Sequence, residues 1–330
     1  MNNNILFCSA GRRTRLLWNF RESLEPSDKV IATDRQATAP ALYAADVRYL
    51  VPRIDDPSYI DRVMGICHKE QVKAITTLID PEIEILAKNR QRFLDEGILP
   101  LCPSAETAHL CFDKYALFEH LRDHGIRTVL TYDTLENFED GFYQGEISFP
   151  VFIKPRTGSG SVGIHKVENM KELKAFIDEG MYNYIIQEFM DCKECVDCDA
   201  DVYIDTISHR PVSAFSKHKL EMRIGGASKT ISYKDERLIA FIKEICQVLE
   251  FNGPVDMDFW LRDDQYYLSE INPRFGGAYL HAYGAGVNFV PLIVNNINGI
   301  ENAECFDNYE EDVVMMMYDD VVIVNKSDLA

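Results

Sequence analysis

The feature that most constrains this chain is an alternating strand, at residues 266–277, that ends in a row of polar side chains. Glu270, Asn272 and Arg274 are spaced two residues apart, and a Gly-Gly turn follows them. Because residues i, i+2 and i+4 of an extended strand share one face, all three side chains can point at the same ligand. Carboxylate and amide oxygens suit Mg²⁺, and a planar guanidinium suits phosphate oxygens. The stretch therefore predicts a face that binds metal and phosphate.

A second alternating run, residues 255–260, carries Asp258 and precedes the first. The polar segment 262–265 between the two runs predicts a hairpin turn. Pairing of the two strands would place Asp258 beside Glu270. The alternative, which spacing alone leaves open, is an acidic sheet edge that faces water.

The net charge limits which ligands the chain can bind. With 34 Lys and Arg against 53 Asp and Glu, the formal charge is −19. This charge disfavours nucleic acid and anionic membranes, because its long-range field repels polyanions. The nine cysteines are scattered, as expected of reduced thiols. No apolar run is long enough for a membrane helix and no basic signal-peptide region precedes the first strand, so we expect a cytoplasmic protein.

The N-terminal hundred residues show the pattern of an open parallel sheet. A buried strand at 4–10 is followed by a turn with a single glycine, Gly11, and then by a helical run. A second strand ends in Asp34, where a dinucleotide-binding fold would hold ribose, but the glycine fingerprint for pyrophosphate is missing. We predict a Rossmann-like domain that does not bind a dinucleotide. Arg12 and Arg13 at the helix N-terminus either receive a substrate carboxylate or remain solvated charges.

A further strand, at residues 72–78, leads into Asp80, Pro81 and Glu82. Asp at the N-cap and Pro at the first helical position predict the start of a helix. The carboxyl end of such a strand is also where open sheets place ligands. Contact of Asp80 or Glu82 with a substrate is therefore the alternative interpretation.

A glycine-rich loop at residues 156–164 follows a strand that carries Lys154, and it matches the pattern G-x-G-x-x-G. A dinucleotide site would need a helix to open inside the loop, and a protein kinase would need its lysine after it. A Walker A loop would end in Gly-Lys-Ser/Thr. None of these fits, so we predict a strand–loop–strand flap whose backbone N–H groups close over phosphates beside Lys154. A plain flexible hairpin is the alternative.

The next strand, residues 184–190, ends in a segment that suits an adenine base. Backbone groups around Glu188 and Met190 would contact the base edge, and Glu194 would contact ribose hydroxyls. Three cysteines with metal-like spacing overlap this segment: Cys192, Cys195 and Cys198. No compact fourth ligand follows, and two of the three would face opposite sides of a strand, which disfavours zinc or an iron–sulfur cluster.

A basic cluster in this acidic chain predicts an anionic ligand. Lys217 and Lys219 share one face of a strand that runs into a loop with Arg223 and Gly226. Residues 235–250 have the period of an amphipathic helix. His281 would line a pocket wall, either in contact with substrate or as a hydrogen-bonded structural histidine. Residues 301–312 predict a surface loop, and one or two strands follow it.

In this order, the segments resemble the ATP-grasp superfamily, in particular the ATP-grasp module of carbamoyl-phosphate synthase large subunits. The resemblance spans about residues 100–290 and includes a helical Lys114, Phe-Ile-Lys-Pro, the glycine flap, Gln-Glu-Phe-Met, Asp258 and Glu-Ile-Asn-Pro-Arg-Phe-Gly-Gly. It implies an α/β chain that is α+β in its C-terminal part. A Rossmann-like pre-ATP-grasp domain at 1–100 would precede an ATP-grasp N-terminal subdomain with a glycine-rich lid at 101–185. A C-terminal subdomain with the Mg-ATP site would occupy 186–330.

The resemblance also implies roles for individual residues. It implies that ATP contacts Lys114, Lys154, Gly158, Ser159, Gly160, Ser161, Gly163, Glu188, Phe189, Met190 and Glu194. Two Mg²⁺ or Mn²⁺ ions would lie at Asp258, Glu270 and Asn272. The predicted catalytic residues are Arg274, which would face the transferred phosphoryl group, and Lys217, Lys219 and Arg223. The predicted substrate contacts are Arg12, Asp80, Gly226 and His281.

By this resemblance the chain is expected to activate a small carboxylate as an acyl phosphate and to join it to an amine. Two alternatives stay open. The first is a non-catalytic ATP-binding sensor or assembly subunit, and the second is a kinase-like enzyme that forms only the acyl phosphate. Small-molecule substrates and a homodimer are the expected partners.

Overall fold

The protein is described by a computed structural model over residues 2–158, 163–178, 183–223 and 226–329. The predicted ATP contacts Ser159, Gly160 and Ser161 lie outside these residues. The described strands form sheets of five, four and six strands. No helix within the described ranges is long and apolar enough to cross a lipid bilayer.

The N-terminal sheet is parallel, as the sequence predicts. Its elements are β1 (Ile5–Cys8), α1 (Thr14–Ser23), β2 (Val30–Asp34), β3 (Val47–Leu50), α2 (Tyr59–Glu70), β4 (Ala74–Thr77), α3 (Asp80–Lys88), α4 (Arg90–Asp95) and β5 (Leu99–Pro100). The strand order is β3-β2-β1-β4-β5. Alternate residues of β1 pack into two separate cores, one with α1 and one with α2 and α3. Burial on both faces explains the continuous apolar run of β1 and confirms the Rossmann-like prediction.

The second sheet carries Lys154 and the predicted flap. Its elements are α5 (Ala105–Phe112), α6 (Lys114–Asp123), β6 (Thr131–Tyr132), α7 (Leu135–Gln144), β7 (Val151–Pro155), β8 (His165–Val167), α8 (Met170–Asp178) and β9 (Tyr184–Glu188). The sheet is antiparallel in the order β6-β9-β7-β8. β7 and β8 flank the glycine-rich loop, so the strand–loop–strand arrangement is confirmed for the described residues. β9 spans residue 185, where we predicted a subdomain boundary, and it belongs to this sheet.

The third sheet is antiparallel and contains the motif that opened the sequence analysis. Its elements are β10 (Val196–Ile204), β11 (Pro211–Arg223), β12 (Gly226–Tyr233), α9 (Glu236–Val248), β13 (Gly253–Arg262), β14 (Gln265–Asn272), α10 (Tyr279–Gly284), α11 (Val290–Ile297) and β15 (Val314–Met316). The order is β14-β13-β10-β11-β12-β15. Within the described residues β15 is the single strand after residue 312. This antiparallel part confirms the predicted α+β character.

The hairpin between β13 and β14 is confirmed. Its two turn residues, Asp263 and Asp264, have φ angles of 48° and 58°. Two successive positive φ angles are what a type I′ turn requires, and Asp tolerates them better than most residues. The register pairs Asp258 with Glu270 and Asp256 with Asn272. Four polar side chains therefore share one face of this hairpin.

The opposite face of the six-stranded sheet is apolar and packs against α9. The predicted stripe of that helix is buried as expected: Leu238, Phe241, Ile242, Ile245 and Leu249. Because side chains alternate across a strand, one face can be apolar while the other carries charge. The helix α9 thus covers the apolar face of the sheet, and the polar face lines the candidate cleft.

Aromatic packing joins the N-terminal sheet to the chain segment after β14. Phe275 contacts Phe20 edge-on at 5.5 Å between ring centroids and Tyr279 at 4.8 Å. Phe20 in turn packs on Phe7 of β1 at 4.7 Å. All four rings are buried. This cluster fixes the position of the neighbouring Arg274 relative to the N-terminal domain.

We predict that Phe275→Ala lowers the free energy of unfolding by about 3–5 kcal/mol, because the loss of a buried ring leaves a cavity between the domains. Urea denaturation followed by circular dichroism would measure the change. Tyr143→Ala is the control, because Tyr143 is 76% exposed, and we expect a change within about 0.5 kcal/mol. Equal effects of the two substitutions would contradict the proposed packing role.

Candidate functional site

Two carboxylates on paired strands form the centre of the cleft. Asp258 and Glu270 lie opposite each other on β13 and β14, and the Asn272 amide donates a long hydrogen bond to Asp258 (3.5 Å). Loss of hydration in the cleft, together with Asp258, raises the pKa of Glu270. Within the described part of the chain, the Glu270 carboxylate makes no hydrogen bond or ion pair. A carboxylate in this state is suited to accept a cation.

Two lysines, one on the second sheet and one at the start of α6, face these carboxylates. Lys154 on β7 is buried, and loss of hydration lowers its pKa to about 8 although Glu270 opposes the shift. Lys114 begins α6, and its ammonium donates to the carbonyl of Gly158 (2.6 Å). Positive charge thus stands at the start of the predicted lid.

Asp113 connects the start of α6 to the same lid. Its carboxylate caps the helix by accepting from the backbone N–H groups of Tyr115 and Ala116 (3.1 and 3.0 Å). It also accepts from Arg156 Nε (2.7 Å), at the beginning of the glycine-rich loop. One side chain therefore orients both Lys114 and the entry to the lid.

Lys217 and Lys219 lie on the polar face of β11, as predicted, and pair with aspartates of neighbouring strands. Lys217 is completely buried and contacts Asp199 and Asp201 of β10. Burial disfavours its charged form, yet these carboxylates raise its pKa above the ordinary value. Lys219 contacts Asp258 and lies 3.0 Å from Asp197. Lys217 is a buried counter-ion here, whereas Lys219 touches a predicted metal ligand; a catalytic role for either stays a prediction.

Arg274 is held by two carboxylates. Its Nε donates to Asp80 at 2.8 Å, and its Nη1 lies 3.4 Å from Asp256. The predicted N-cap role of Asp80 is wrong, because α3 begins at Asp80 and the residue before it, Ile79, supplies no side-chain cap. The Asp80 carboxylate is thus free to orient Arg274 across the domain boundary. Glu82, the other residue predicted as a possible substrate contact, is buried and accepts hydrogen bonds from Tyr59 and Thr77.

The donor set of this cleft fits Mg²⁺. Asp258, Glu270 and Asn272 offer only oxygen ligands, which magnesium prefers. Glu270 forms no direct ion pair among the described residues, although Lys154 and Lys114 act on it electrostatically. Asp258 is in contact with the Lys219 ammonium. These three side chains would hold the ion, and the metal assignment stays a prediction.

The predicted adenine segment lies where β9 ends. Glu188 pairs with Arg262 of β13, and Met190 is buried. Phe189 packs on Phe152 of β7 at 5.1 Å. Glu194 is exposed in a turn closed by the carbonyl of Asp191. The adenine and ribose contacts stay predictions, and the Glu188 side chain already has a protein partner.

Other predicted residues lie outside this cleft centre. Arg223 is at the end of β11 and pairs with Asp319 (2.9 Å), opposite Gly226 of β12. The Arg12 charge acts on the same Asp319. His281 is buried, and its Nδ1 is 2.8 Å from Thr230 Oγ1, which supports the structural alternative for this histidine. The roles of Arg12, Gly226 and Arg223 stay predictions.

Sequence reasoning missed a row of acids, of which all but the half-buried Asp197 are buried, and one arginine. The row comprises Asp197, Asp199, Asp201 and Asp256, all on the polar sheet face. Its signal was present in the alternation of aspartates at 197, 199 and 201 and at 256 and 258. Arg13 was noticed only as a possible substrate contact. Its guanidinium donates to the carbonyls of Phe275 and Gly276 (2.7 and 2.6 Å) and so connects the domains.

The three closely spaced cysteines do not converge. Cys192 is exposed, while Cys195 and Cys198 are buried. Burial raises the pKa of Cys198 to about 12, which keeps its thiol protonated. Among the described residues, no group of three or more His, Cys, Asp or Glu side chains is arranged to hold a metal.

Family profiles match both parts of the chain. The ATP-grasp domain matches residues 111–278, just over half of the chain. The PylC-like N-terminal domain matches residues 5–101. The chain belongs to the ATP-grasp family. The family resemblance inferred from the sequence is therefore confirmed.

Individual ATP-grasp relatives are distant. The formate-dependent phosphoribosylglycinamide formyltransferase of Azotobacter vinelandii is 22% identical over 74% of this chain, which spans 63% of that protein. The carbamoyl phosphate synthase arginine-specific large chain of Geobacillus stearothermophilus is 23% identical over 66% of this chain and 21% of its own length. The biotin carboxylase domain of a 2-oxoglutarate carboxylase from Hydrogenobacter thermophilus, solved with MgADP, ADP and bicarbonate, superposes with a TM-score of 0.73. The two sequences are 16% identical, and the superposition covers 94% of this chain and 73% of the neighbour's chain. The similarity therefore shows a shared fold.

We predict that stability depends on His281 at acidic pH. Burial and the nearby Lys217 lower the pKa of His281 from 6.5 to about 4. Between these values the unfolded chain binds a proton that the folded chain does not, so stability falls as the pH falls. Urea unfolding at pH 7, 5.5 and 4 should show wild type losing about 2 kcal/mol more than His281→Gln across this range. Parallel losses in the two proteins would contradict the buried neutral state.

Proposed function

We propose that this ATP-grasp protein is an ATP- and Mg²⁺-dependent ligase that activates a small carboxylate as an acyl phosphate and joins it to an amine. The observation that carries the proposal is the pairing of Asp258 with Glu270 opposite Lys154. This arrangement combines oxygen ligands for magnesium with a buried cation for phosphate. The ligases and carboxylases among its relatives support the same class of reaction.

In the first step, a carboxylate oxygen of the substrate attacks the γ-phosphorus of ATP, and the bond to the ADP oxygen breaks. Bound magnesium would neutralise charge on the phosphate oxygens. Lys154 and Lys114 add positive charge from the opposite sheet. Arg274, held by Asp80 and Asp256, is positioned to stabilise the transferred phosphoryl group. Such transfer requires position and charge neutralisation more than a covalent nucleophile.

In the second step, the amine nitrogen attacks the carbonyl carbon of the acyl phosphate. Phosphate leaves, the nitrogen loses a proton, and a C–N bond remains. The cleft between the two antiparallel sheets would exclude water, which otherwise hydrolyses the acyl phosphate. Lys219, released from Asp258 when a metal binds there, would be free to contact the departing phosphate.

We predict that Glu270→Gln lowers ADP formation at least a hundredfold, because it removes a metal ligand while keeping the side-chain volume. The assay is coupled detection of ADP with a panel of carboxylate and amine pairs. Circular dichroism and thermal unfolding would establish that the variant is folded.

Asp263→Asn provides the matched control, because it removes one carboxylate from the same hairpin at its exposed turn. We expect this variant to release ADP at the wild-type rate. Wild-type turnover by Glu270→Gln would refute the metal assignment.

The two alternative functions give different products. A nucleotide-binding sensor would bind Mg-ATP and release no ADP with any pair in the panel. An enzyme that stops at the acyl phosphate would release ADP without an amine and would give a hydroxamate when hydroxylamine is added. The ligase requires both substrates for full ADP release.

We also propose that the enzyme acts in the cytoplasm as a homodimer. The structural neighbour from Hydrogenobacter thermophilus is a dimer, which supports the second point by analogy. Light scattering of the purified protein would give its mass in solution.

A further inference from the structure

A cavity of about 300 Å³ opens at the carboxyl edge of the five-stranded sheet, beyond the residues proposed to hold Mg-ATP. It is lined by the segments that follow β1, β2, β3 and β4. Its volume lies at the lower end of the range for small-molecule sites, roughly 300–1,000 Å³. The cavity is therefore large enough for a small metabolite.

The cavity lies at the place where open parallel sheets bind ligands. The strand order β3-β2-β1-β4-β5 reverses direction between β1 and β4. Ser9 follows β1, Ile79 follows β4, and both line the cavity. Chain connections leave such a switch point on opposite sides of the sheet, which opens a crevice at the carboxyl ends of the two strands.

The hydrogen bonds of Asp34 argue against a nucleotide as the occupant. One carboxylate oxygen accepts from the Gly11 N–H (2.9 Å) and the other accepts from the Gln36 N–H (2.8 Å). In a dinucleotide-binding domain, the acid at this position holds ribose hydroxyls. Here a ribose would have to displace two backbone N–H donors. Asp34 therefore stabilises the loops that contain Gly11 and Gln36, and it is not available to a sugar.

The floor of the cavity is polar and rigid. Tyr59 is buried and donates its hydroxyl to Glu82, which also accepts from Thr77 Oγ1 (2.6 Å). Ser9 has a φ of 47°, and its hydroxyl hydrogen-bonds the same Glu82. A non-glycine residue in the left-handed region is strained, and such residues are found preferentially at functional sites. The network thus fixes Ser9 and Tyr59 beneath the cavity.

The wall and the opening differ in character. Val51, Ile54 and Ile79 supply an apolar wall, while Arg35 and Arg53 lie at the solvent-exposed opening. Arg53 forms a bidentate ion pair with the exposed Asp55, in which Nε and Nη2 donate to the two carboxylate oxygens (2.9 and 3.0 Å). Exposed ion pairs are weak because water screens them, so an incoming anion can take the place of Asp55. In a chain of net charge −19, two arginines at one opening form a local site for an anion.

This cavity adjoins the cleft of the proposed reaction. Ile79 lines the cavity, and the next residue, Asp80, lines the narrow space that also contacts Glu270 and Asn272. A molecule in the cavity could therefore extend past Asp80 toward the γ-phosphate of ATP. The site would hold the part of a substrate that does not react.

We infer that this cavity binds one of the two substrates of the proposed ligase: a small organic anion whose carboxylate or phosphate ester group pairs with Arg35 and Arg53. Its apolar body lies along Val51, Ile54 and Ile79. This inference rests on the proposed function for the identity of the ligand as a substrate. The geometry of the cavity supports the binding site itself.

The test measures binding without nucleotide. Wild-type protein is screened by thermal shift and calorimetry against two sets of probes, amino acids with dicarboxylates and phosphate monoesters. The set that binds identifies the source of the anionic group. The double variant Arg35→Ala/Arg53→Ala should weaken the best probe at least tenfold, because both charge-assisted contacts are lost.

Arg92→Ala is the matched control. Arg92 is a similarly exposed arginine of the same domain that pairs with an aspartate, Asp61 (2.7 Å), but it does not line the cavity. Its affinity for the probe should equal that of wild type. Ile54→Trp is a second test that keeps both arginines, because the larger side chain fills the cavity and should also abolish binding.

Failure of the inference and failure of the proposed function are distinguishable. Absence of binding by every probe, or unchanged affinity in both cavity variants, overturns the cavity site. Unchanged KM values for both substrates in cavity variants that release ADP also overturn it, while the ligase function stands. If the wild-type protein binds a probe and the cavity variants do not, the cavity site is supported. If the same wild-type protein releases no ADP with any pair of substrates, the ligase function is refuted.

Discussion

The register between β13 and β14 is the constraint on which the rest of the site depends. It places Asp258 against Glu270 and Asp256 against Asn272. A slip of one residue would turn these side chains toward α9 and bring apolar ones into the cleft. A β-bulge lies between this pairing and the two-residue turn at Asp263 and Asp264, so the turn alone does not set the register of the site. The apolar opposite face, which packs against α9, opposes a further slip. The same pairing that stabilises the sheet therefore brings the predicted metal ligands together.

The polar face carries several buried charged side chains: Asp199, Asp201, Lys217 and Asp256. The two lysines of β11 pair with aspartates of β10 and β13, and Lys217 is completely buried. Removal of such charges from water is costly unless each is paired. The pairing is incomplete at Glu270, which interacts electrostatically with Lys154 and Lys114 but forms no direct ion pair among the described residues. The least satisfied group thus lies where a cation and a triphosphate would bind, which is the physical basis of the proposed activity.

The N-terminal domain contributes to the site through a small number of contacts. Arg13 donates to the carbonyls of Phe275 and Gly276, and Asp80 orients Arg274. Gly276 is required because a Cβ there would lie 2.6–2.7 Å from carboxylate oxygens of Asp201 and Asp256. Arg274 is consequently positioned by both domains. The adjoining cavity gives the N-terminal domain a second proposed role, as the part that binds a substrate.

The sequence alone determined those features that depend on local spacing. Period-two alternation predicted β13, β14 and their hairpin, the buried run of β1 predicted a parallel sheet, and the order of motifs predicted the ATP-grasp family. Tertiary structure decided which charges meet, because strands distant in sequence bring them together. Asp80 was assigned to capping by its local pattern, yet it pairs with Arg274, a residue 194 positions away. Lys217 and Lys219 look alike in sequence, but only the sheet order makes one a buried counter-ion and the other a neighbour of Asp258.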